Sequence, residues 1–284
     1  MIIVQKYNKK LLNQWDSFIN LSNNGTVFQK QQFLSYHQHR KFKDCSLIIK
    51  YKEQIVALFP AAEIVENNTK CFYSHPGASY GGIVTKEKIP FKLINEIIIA
   101  TELYLQKNKF DSVFLINSPK IYCTTQDDSL EYLLTLNKYN KKEEYISHAV
   151  KLTNTQAVSK LLSKRKYRYL QNNEQLKKIK FKKLNVNKNL KEIEMFYDIL
   201  YVSKQIYSVT PTHTLDEIII LLNLFPNEIE LYISLNQNKI IGGYMILHAN
   251  TNTSLVFYNV ILNKSKYKQV AMLQLYHSME LAKQ

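Results

Sequence analysis

Cysteine is scarce in this sequence of 284 residues, which has only Cys45, Cys71 and Cys123. The three are widely spaced, odd in number and form no CxxC pair. Small secreted domains depend on dense disulfides, whereas isolated thiols suit a reducing cytosol. The pattern therefore excludes a disulfide scaffold and predicts a cytoplasmic location.

Long apolar segments are absent as well. The first residues, MIIVQKYNKK, do not combine a basic stretch with an apolar core as a secretory signal does. No uncharged apolar run approaches the roughly 18 residues of a membrane-spanning helix. We therefore expect neither a signal peptide nor a membrane span.

The sequence also lacks the short motifs of several enzyme classes. It contains no GxSxG, P-loop or dinucleotide-binding fingerprint. Cys71 and His75 are four residues apart, but no second pair completes a set of zinc ligands. We therefore predict no metal cofactor.

Glycine is rare, and five of the six glycines lie at two places. They are Gly77, Gly81 and Gly82 in HPGASYGG, and Gly242 and Gly243 in KIIGGYMILHA. Glycine inside a strand is typical of a bulge or of close approach by a ligand or another backbone. One interpretation is that HPGASYGG lines a cleft between two halves of the chain, with His75 and Tyr80 as its polar wall. The alternative is an ordinary turn with a structural histidine.

Basic residues, in contrast, are abundant: 38 Lys and Arg against 23 Asp and Glu give a formal net charge of +15. Such a charge favours anionic partners such as phosphates, nucleic acid or a membrane surface. A Lys- and Asn-rich composition can also reflect an AT-rich genome. The clustering is more informative, since residues 164–183 contain nine basic residues and one acid, with three aromatic residues between them.

Hydrophobic periodicity predicts the same order of elements in both halves of the chain. The first half reads as a strand, helices over 9–22 and 29–40, three strands, a helix over 91–108 and a strand over 112–117. The second half reads as a strand, helices over 189–207 and 214–224, three strands and a helix over 266–284. The architecture therefore looks duplicated.

A gapless alignment supports the duplication. Adding 185 to residues 47–73 places LIIKYKEQIVALFPAAEIVENNTKCFY on YISLNQNKIIGGYMILHANTNTSLVFY. The identical pairs are Ile48 and Ile233, Ile55 and Ile240, Asn67 and Asn252, Phe72 and Phe257, and Tyr73 and Tyr258. We expect both turns and all three strands to share this register; two unrelated meanders are the alternative.

This order of elements resembles the GNAT acyl-CoA N-acyltransferase fold, and two such units in tandem resemble FemABX-like proteins. Segments that carry the resemblance are GTVFQKQQFL, LFPAA, HPGASYGGIV, SKLLSKRKYRYLQNN and SVTPTHTLDEI. It implies an α/β (α+β) fold of two GNAT-like units, 1–148 and 149–284, with mixed, mainly antiparallel sheets flanked by helices. Aligning Gln284 with Gln106 leaves SVFLIN without a counterpart, so the second unit is expected to lack its last strands.

The resemblance also implies a donor site where the third meander strand meets the next helix. Backbone groups over 259–262 would hold the acyl carbonyl, and amides at the helix start would bind a pyrophosphate. The candidate donor-binding residues are Lys266, Lys268, Gln269, Val270 and Ala271. The family's loop there contains glycine, whereas this chain has KYKQVA, which weakens the expectation of acyl-CoA binding.

Candidate acceptor-binding residues come from the basic helix and from tyrosines near it. Arg165 and Arg168 share one helix face and are predicted to bind a diphosphate together. Tyr207, His75 and Tyr80 complete the acceptor-binding set. A solvated basic helix that joins the two units is the alternative.

Two residues are candidates for acid and base chemistry. His213 precedes the helix that begins near Leu215, where an exposed loop imidazole would accept a proton from an incoming amine. Thr212 or Thr214 is expected to cap that helix. Tyr258 is a second catalytic candidate, and a plain surface histidine is the alternative for His213.

The sequence therefore predicts a transferase that moves an acyl or aminoacyl group to an amine on a nucleotide-linked or lipid-linked cell-surface precursor. The donor is either acyl-CoA or an aminoacyl-tRNA, and a lipid-linked acceptor implies peripheral contact with a membrane surface. Two alternatives stay open: a sugar-nucleotide N-acetyltransferase that uses acetyl-CoA, and a non-catalytic module that binds a polyanion.

Overall fold

A computed structural model describes residues 1–37, 39–262, 267 and 269–283. The chain divides into two compact units. Unit one comprises Met1–Ile146 together with Ala249–Asn252, and unit two comprises Ser147–His248 together with Thr253–Gln284. The boundary predicted from the sequence, between residues 148 and 149, stays a prediction.

Unit one contains two four-stranded sheets. Its strands are β1 (Ile2–Lys6), β2 (Lys43–Asp44), β3 (Leu47–Tyr51), β4 (Gln54–Phe59), β5 (Ala61–Glu66), β6 (Thr69–Ser74), β7 (Val84–Thr85) and β8 (Ser112–Phe114). Its helices are α1 (Leu12–Asn20), α2 (Gln31–Ser35), α3 (Phe91–Lys107) and α4 (Ser129–Leu136), with 3-10 turns at Lys9–Leu11, Val27–Gln29 and Lys120–Tyr122. The sheet orders are β1-β3-β4-β7 and β2-β5-β6-β8, and only β6 and β8 pair in parallel.

Pro60 separates these two sheets. The sequence predicts QIVALFPAAEIV as one run, but the structure ends β4 at Phe59 and begins β5 at Ala61 in the other sheet. Proline lacks the N–H that a central strand position donates, so the ladder breaks there. The hydroxyl of Ser46 then accepts the N–H of Ala61 at 3.1 Å, which satisfies the backbone at the break.

The core of unit one forms where α3 packs on the strands. Ile94, Ile97, Ile98 and Leu105 recur at helical spacing and are buried. They belong to one cluster with buried side chains of β3, β4, β5 and β6. Burial of this apolar face stabilises α3 in the position that the sequence predicts.

Unit two is built on a single four-stranded antiparallel sheet. Its strands are β9 (Ile179–Lys183), β10 (Ile229–Asn236), β11 (Lys239–His248) and β12 (Ser254–Ile261), in the order β12-β11-β10-β9. Its helices are α5 (Lys164–Asn172), α6 (Glu174–Lys177), α7 (Leu190–Gln205), α8 (Leu215–Leu224) and α9 (Val270–Ala282), with a 3-10 turn at Val158–Leu161. No helix in the described ranges has the length and apolar content needed to cross a membrane.

The predicted repeat register holds for the first hairpin of each meander. Lys52 and Glu53 have φ of 47° and 62°, and Gln237 and Asn238, at an offset of 185, have 49° and 62°. Each hairpin also has a bulge at the same offset, where Val56 and Ile241 are the extra residues. Both features are consistent with a duplication.

The predicted register is wrong for the second hairpin. In unit one, Glu66 pairs with Thr69 across a two-residue turn, whereas in unit two His248 pairs with Ser254 across residues 249–253. The longer loop shifts the pairing of the third strand by three residues. A gapless alignment cannot detect this shift, since both sequences there are polar and turn-prone.

Candidate active site in unit two

A cleft of about 940 Å³ opens in unit two beside β12. It lies between the C-terminal end of α7, the length of β12 and the first turn of α9. Its lining residues are Ser203, Lys204, Tyr207, Val256, Phe257, Tyr258, Asn259, Val260, Ile261 and Ala271. Residues from the predicted donor region, the predicted catalytic residue Tyr258 and the predicted acceptor-binding residue Tyr207 therefore line one cavity.

The local geometry of β12 exposes this wall. In the part of the chain that the structure describes, β12 pairs only with β11 and lies at the sheet edge. Tyr258 pairs with Met245 and Val256 with Ile246, so Phe257 is an extra residue that forms a bulge. A bulge re-aims the side chains next to it, and bulges are frequent beside active sites.

Tyr258 and His213, the two predicted catalytic residues, lie in contact. The Tyr258 hydroxyl is 2.8 Å from Nδ1 of His213 and accepts the backbone N–H of His213 at 3.3 Å. Burial is the main cause that raises the pKa of Tyr258 to about 12. The phenol is therefore protonated at neutral pH, and its proton is available to the imidazole nitrogen.

The expectation of an exposed His213 is wrong, because the residue is only 4% exposed. Its ring packs against Phe257 at a centroid distance of 5.1 Å, and its carbonyl accepts the Tyr197 hydroxyl at 3.3 Å. The sequence showed a polar loop but not the strand side chains that cover it. His213 is therefore buried to the same extent as Tyr258, which is also 4% exposed, and does not lie in open solvent.

The start of α8 fixes His213 from the other side. Thr214 accepts the N–H of Glu217 at 3.2 Å, and the Glu217 carboxylate accepts the N–H of Thr214 at 3.0 Å. This reciprocal pair is a capping box, and it confirms Thr214 as one of the two predicted caps. The residue before the cap consequently has a defined backbone position.

The predicted donor-binding residues are only partly described. Lys266 and Lys268 lie outside the described residues. Gln269 is the N-cap of α9, Val270 is buried, and its N–H is bonded to the Tyr267 carbonyl at 2.9 Å. Ala271 lines the cleft. The donor-binding role of all five stays a prediction.

Asn259 is a cleft residue that the sequence analysis considered only for its backbone. Its Nδ2 donates to the Ala271 carbonyl at 3.1 Å, so the amide nitrogen must face α9. Its Oδ1 is buried and has no hydrogen-bond partner in the structure. A buried carbonyl without a donor is costly, and a ligand N–H would satisfy it.

The predicted acceptor-binding residues of unit two fall in two places. Tyr207 lines the cleft and is 65% exposed. Arg165 and Arg168 lie on α5, as predicted, and both are exposed, but neither lines the cleft. The structure thus brings Tyr207 together with Tyr258 and Ala271, while the diphosphate-binding role of the arginines stays a prediction.

His75 and Tyr80 lie in unit one. His75 is 2% exposed, its ring is 5.1 Å from that of Phe42, and burial, followed by repulsion from His37, lowers its pKa to about 4. Tyr80 makes ring contacts with Phe28 at 5.5 Å and with Tyr122 at 5.2 Å. Both side chains thus have structural contacts, and their acceptor-binding role stays a prediction.

The glycines of the same loop serve its packing. Gly82 has φ of 68°, and its N–H donates to the Ser74 hydroxyl at 2.9 Å. A Cβ at Gly77 would lie 2.4 Å from Nε2 of His37. At position 82 only glycine has this backbone conformation without strain, and at position 77 only glycine avoids displacing the His37 ring.

Comparison with known proteins places this geometry in a known fold. No protein-family model and no curated protein sequence matches the chain. Among solved structures it is similar to FemX, with a TM-score of 0.70 and 8% identity over 99% of this chain and 85% of that chain. The chain therefore has a FemABX-like, GNAT-type α/β fold, which confirms the resemblance and the fold class predicted from the sequence.

Shorter acetyltransferases also align with part of the chain. A GNAT family acetyltransferase of Staphylococcus aureus has a TM-score of 0.31 and 9% identity over 52% of this chain and 98% of its own. An aminoglycoside acetyltransferase from an uncultured soil metagenomic sample has a TM-score of 0.32 and 12% identity over 54% of this chain and 97% of its own.

Proposed function

We propose that this protein transfers an acyl or aminoacyl group to an amine, and that the reaction takes place in the cleft of unit two. The observation that carries the proposal is the Tyr258–His213 pair at the wall of a cleft beside a bulged edge strand. The FemX-like fold supports the choice of acyl transfer. The acceptor that the resemblance favours is a nucleotide-linked or lipid-linked cell-surface precursor.

The proposed chemistry needs one proton path and no redox step. The amine nitrogen attacks the acyl carbonyl, a C–N bond forms, and the C–S bond of a thioester or the C–O bond of an ester breaks. The Tyr258 oxygen takes the amine proton while its own proton passes to Nδ1 of His213. His213 then returns this proton through Tyr258 to the departing thiolate or alkoxide, so that an amide and a free thiol or alcohol result and both residues regain their starting protonation states.

This path gives the two residues different roles. Tyr258 and His213 are both 4% exposed, and Tyr258 is assigned to the reacting amine because it is the one of the two that lines the cleft. His213 is a positioning residue and proton acceptor that acts through Tyr258, because its Nδ1 lies 2.8 Å from the Tyr258 hydroxyl and it is not among the described lining residues of the cleft. The phenol has a high pKa and is a poor base alone, so the relay depends on the imidazole.

The donor is acyl-CoA or an aminoacyl-tRNA, and both place an acyl carbonyl beside β12. Support for a donor site at the start of α9 comes from Ala271, which lines the cleft. The first amides of a helix lack intrahelical acceptors and favour anions. Arg165 and Arg168, exposed on α5, are the candidates for contact with phosphates of the acceptor or of a tRNA.

A non-catalytic polyanion-binding function is the second candidate, and the exposure of α5 favours it. Lys164, Arg165, Lys166 and Arg168 are all exposed on that helix. In that case the basic surface of α5 binds phosphates, and no reaction takes place in the cleft. The two functions predict different results with a donor.

The deciding experiment is a thermal-shift titration with acetyl-CoA and, separately, with an aminoacyl-tRNA, on the wild type and on Tyr258→Phe. A ligand that binds only the folded state raises Tm as its concentration exceeds Kd. A shift with one donor, followed by amide formation that Tyr258→Phe abolishes, supports the transferase. Binding of RNA and of polyphosphate alike, without any product, would favour the polyanion module instead.

The basic helix is tested with the double variant Arg165→Ala/Arg168→Ala and uridine diphosphate as the probe. Loss of two charge-assisted contacts is expected to weaken binding roughly tenfold or more. Tm should change little, because both side chains are exposed. Unchanged affinity in calorimetry would remove the diphosphate-binding role from these residues.

A further inference from the structure

The charge of the cleft is uneven. Among the lining residues that the structure describes, Lys204 is the one charged side chain, and none carries a carboxylate. The remaining wall is largely apolar or aromatic, formed by Val256, Phe257, Val260 and Ile261. Low-polarity walls weaken screening, so a single cation there acts on a ligand more strongly than a surface lysine does.

Lys204 is half-buried at the last turn of α7. Within the described residues its ammonium group takes part in no ion pair or side-chain hydrogen bond. Lys182 and Lys183 of the same unit, in contrast, form ion pairs, with Glu192 at 2.7 Å and with Glu230 at 2.5 Å. A lysine near a helix C-terminus stabilises the helix dipole, but that role does not require it to line a cavity.

Asn259 provides a hydrogen-bond acceptor, in contrast to the cation of Lys204. Its Oδ1 is a buried acceptor without a donor, and the bond from Nδ2 to the Ala271 carbonyl prevents the amide from turning over. Lys204 and Asn259 both line the cleft, the first on α7 and the second on β12 next to Tyr258. An amine N–H fits the acceptor, and an anionic group fits the cation.

From this distribution we infer that the acceptor substrate is an amine that carries its own anionic group, a carboxylate or a phosphate, which Lys204 binds while Asn259 Oδ1 accepts an N–H of the amine. The inference rests on the proposed function for the reaction, but binding is measurable without turnover. It predicts that polycationic amines are not the preferred substrates, because the lining residues that the structure describes include no carboxylate to pair with a second ammonium group.

The test uses probe pairs that differ in the anion alone. 6-Aminohexanoate and pentylamine share a primary amine on a five-carbon chain, and only the first has a carboxylate. O-Phosphoethanolamine and ethanolamine form the corresponding phosphate pair. NMR titration of the wild type is expected to give about tenfold tighter binding for the anionic member of at least one pair, and the larger ratio identifies the preferred anion.

The variants assign this preference to Lys204. Lys204→Met keeps the length and removes the charge, so the two members of each pair should bind alike; Lys204→Arg should restore the preference. Lys191→Met, an exposed lysine on the same helix outside the cleft, is the matched control and should leave the preference unchanged. High salt should reduce the preference in the wild type.

Two results would overturn the inference: equal binding of both members of both pairs by the wild type, or a preference that persists in Lys204→Met. Neither depends on catalysis. A wild type that prefers the anionic probes but forms no amide with any donor would overturn the proposed function instead. The two failures are therefore distinguishable.

Discussion

The third strand of the meander has different surroundings in the two units. In unit one, β6 lies between β5 and β8, and Tyr73 of β6 stacks on Phe114 of β8 at 4.7 Å. In unit two, β12 pairs with β11 alone among the described strands, and its other side lines the cleft. A strand that is paired on both edges has no free edge beside which a ligand can bind. The two units therefore differ at this strand, and the candidate site lies in unit two.

The two units also differ in net charge. Unit one has 19 Lys and Arg against 14 Asp and Glu, whereas unit two has 19 against nine. The basic residues are thus equally divided, and unit two has the larger net charge, +10 against +5, because it has fewer acidic residues. An excess of this kind raises the local concentration of anionic substrates.

The largest expected effect tests whether only the second unit is catalytic. Tyr258→Phe removes the hydroxyl next to His213 and should lower kcat at least about 100-fold, the usual contribution of a positioned proton-transfer group. Tyr73→Phe is the control in unit one, at the residue that the gapless sequence alignment places opposite Tyr258, and its kcat should stay near that of the wild type. Equal losses in the two variants would contradict a single site in unit two.

A variant of His213, measured in the same assay, distinguishes a positioning role of this residue from a role in folding. His213→Gln keeps a hydrogen-bonding group beside Tyr258 but cannot take up a proton. We expect kcat to fall while the KM of the acceptor stays within about twofold, since His213 acts through Tyr258. Full activity of this variant would remove His213 from the proton path.

The next largest effect concerns the glycine at the meander's second strand. A Cβ at Gly242 would lie 2.3 Å from the Val260 carbonyl oxygen, whereas the aligned position of unit one is Ala57, a buried residue that has a Cβ. Gly242→Ala should therefore destabilise unit two by about 2–3 kcal/mol through overpacking. Urea unfolding measures this loss, and a change below about 0.5 kcal/mol would contradict the close approach.

The smallest effect is a pH dependence located in unit one. Burial lowers the pKa of His75 to about 4, below its usual 6.5, so the unfolded chain binds the proton more readily than the folded chain. Stability from this group is complete above pH 6.5 and falls as the pH decreases toward 4, by up to about 2 kcal/mol between pH 7 and 5. The slope of unfolding free energy against pH should be shallower in His75→Gln, and an unchanged slope would show that His75 does not set it.

The sequence was sufficient for the fold but not for the differences between its two copies. Periodicity located α3 and α7 because each buries a regular apolar stripe. The split at Pro60 and the loop over 249–253 were missed, since neither changes the alternation of apolar and polar residues. These are differences of pairing, which depend on partners far away in the chain.

The candidate site was predicted in part for the same reason. Tyr258 and His213 were each singled out, but their contact spans 45 residues and the burial of His213 follows from that contact. Lys204 and the side chain of Asn259 were missed, because a lysine at a helix end and an asparagine in a strand are unremarkable in sequence. A long-range signal would have been needed, such as the edge position of β12.

The bulge at Phe257 has a consequence for how duplicated units diverge. Side chains alternate along a strand with a period of two, so one extra residue reverses the facing of every residue beyond it. The face of β12 to which Tyr258 points, compared with the residues before the bulge, thus depends on the number of residues in the strand and not on the identity of any side chain. In such a repeat, a single-codon insertion or deletion in one copy can change which side chains of the strand face a ligand, without any substitution at those positions.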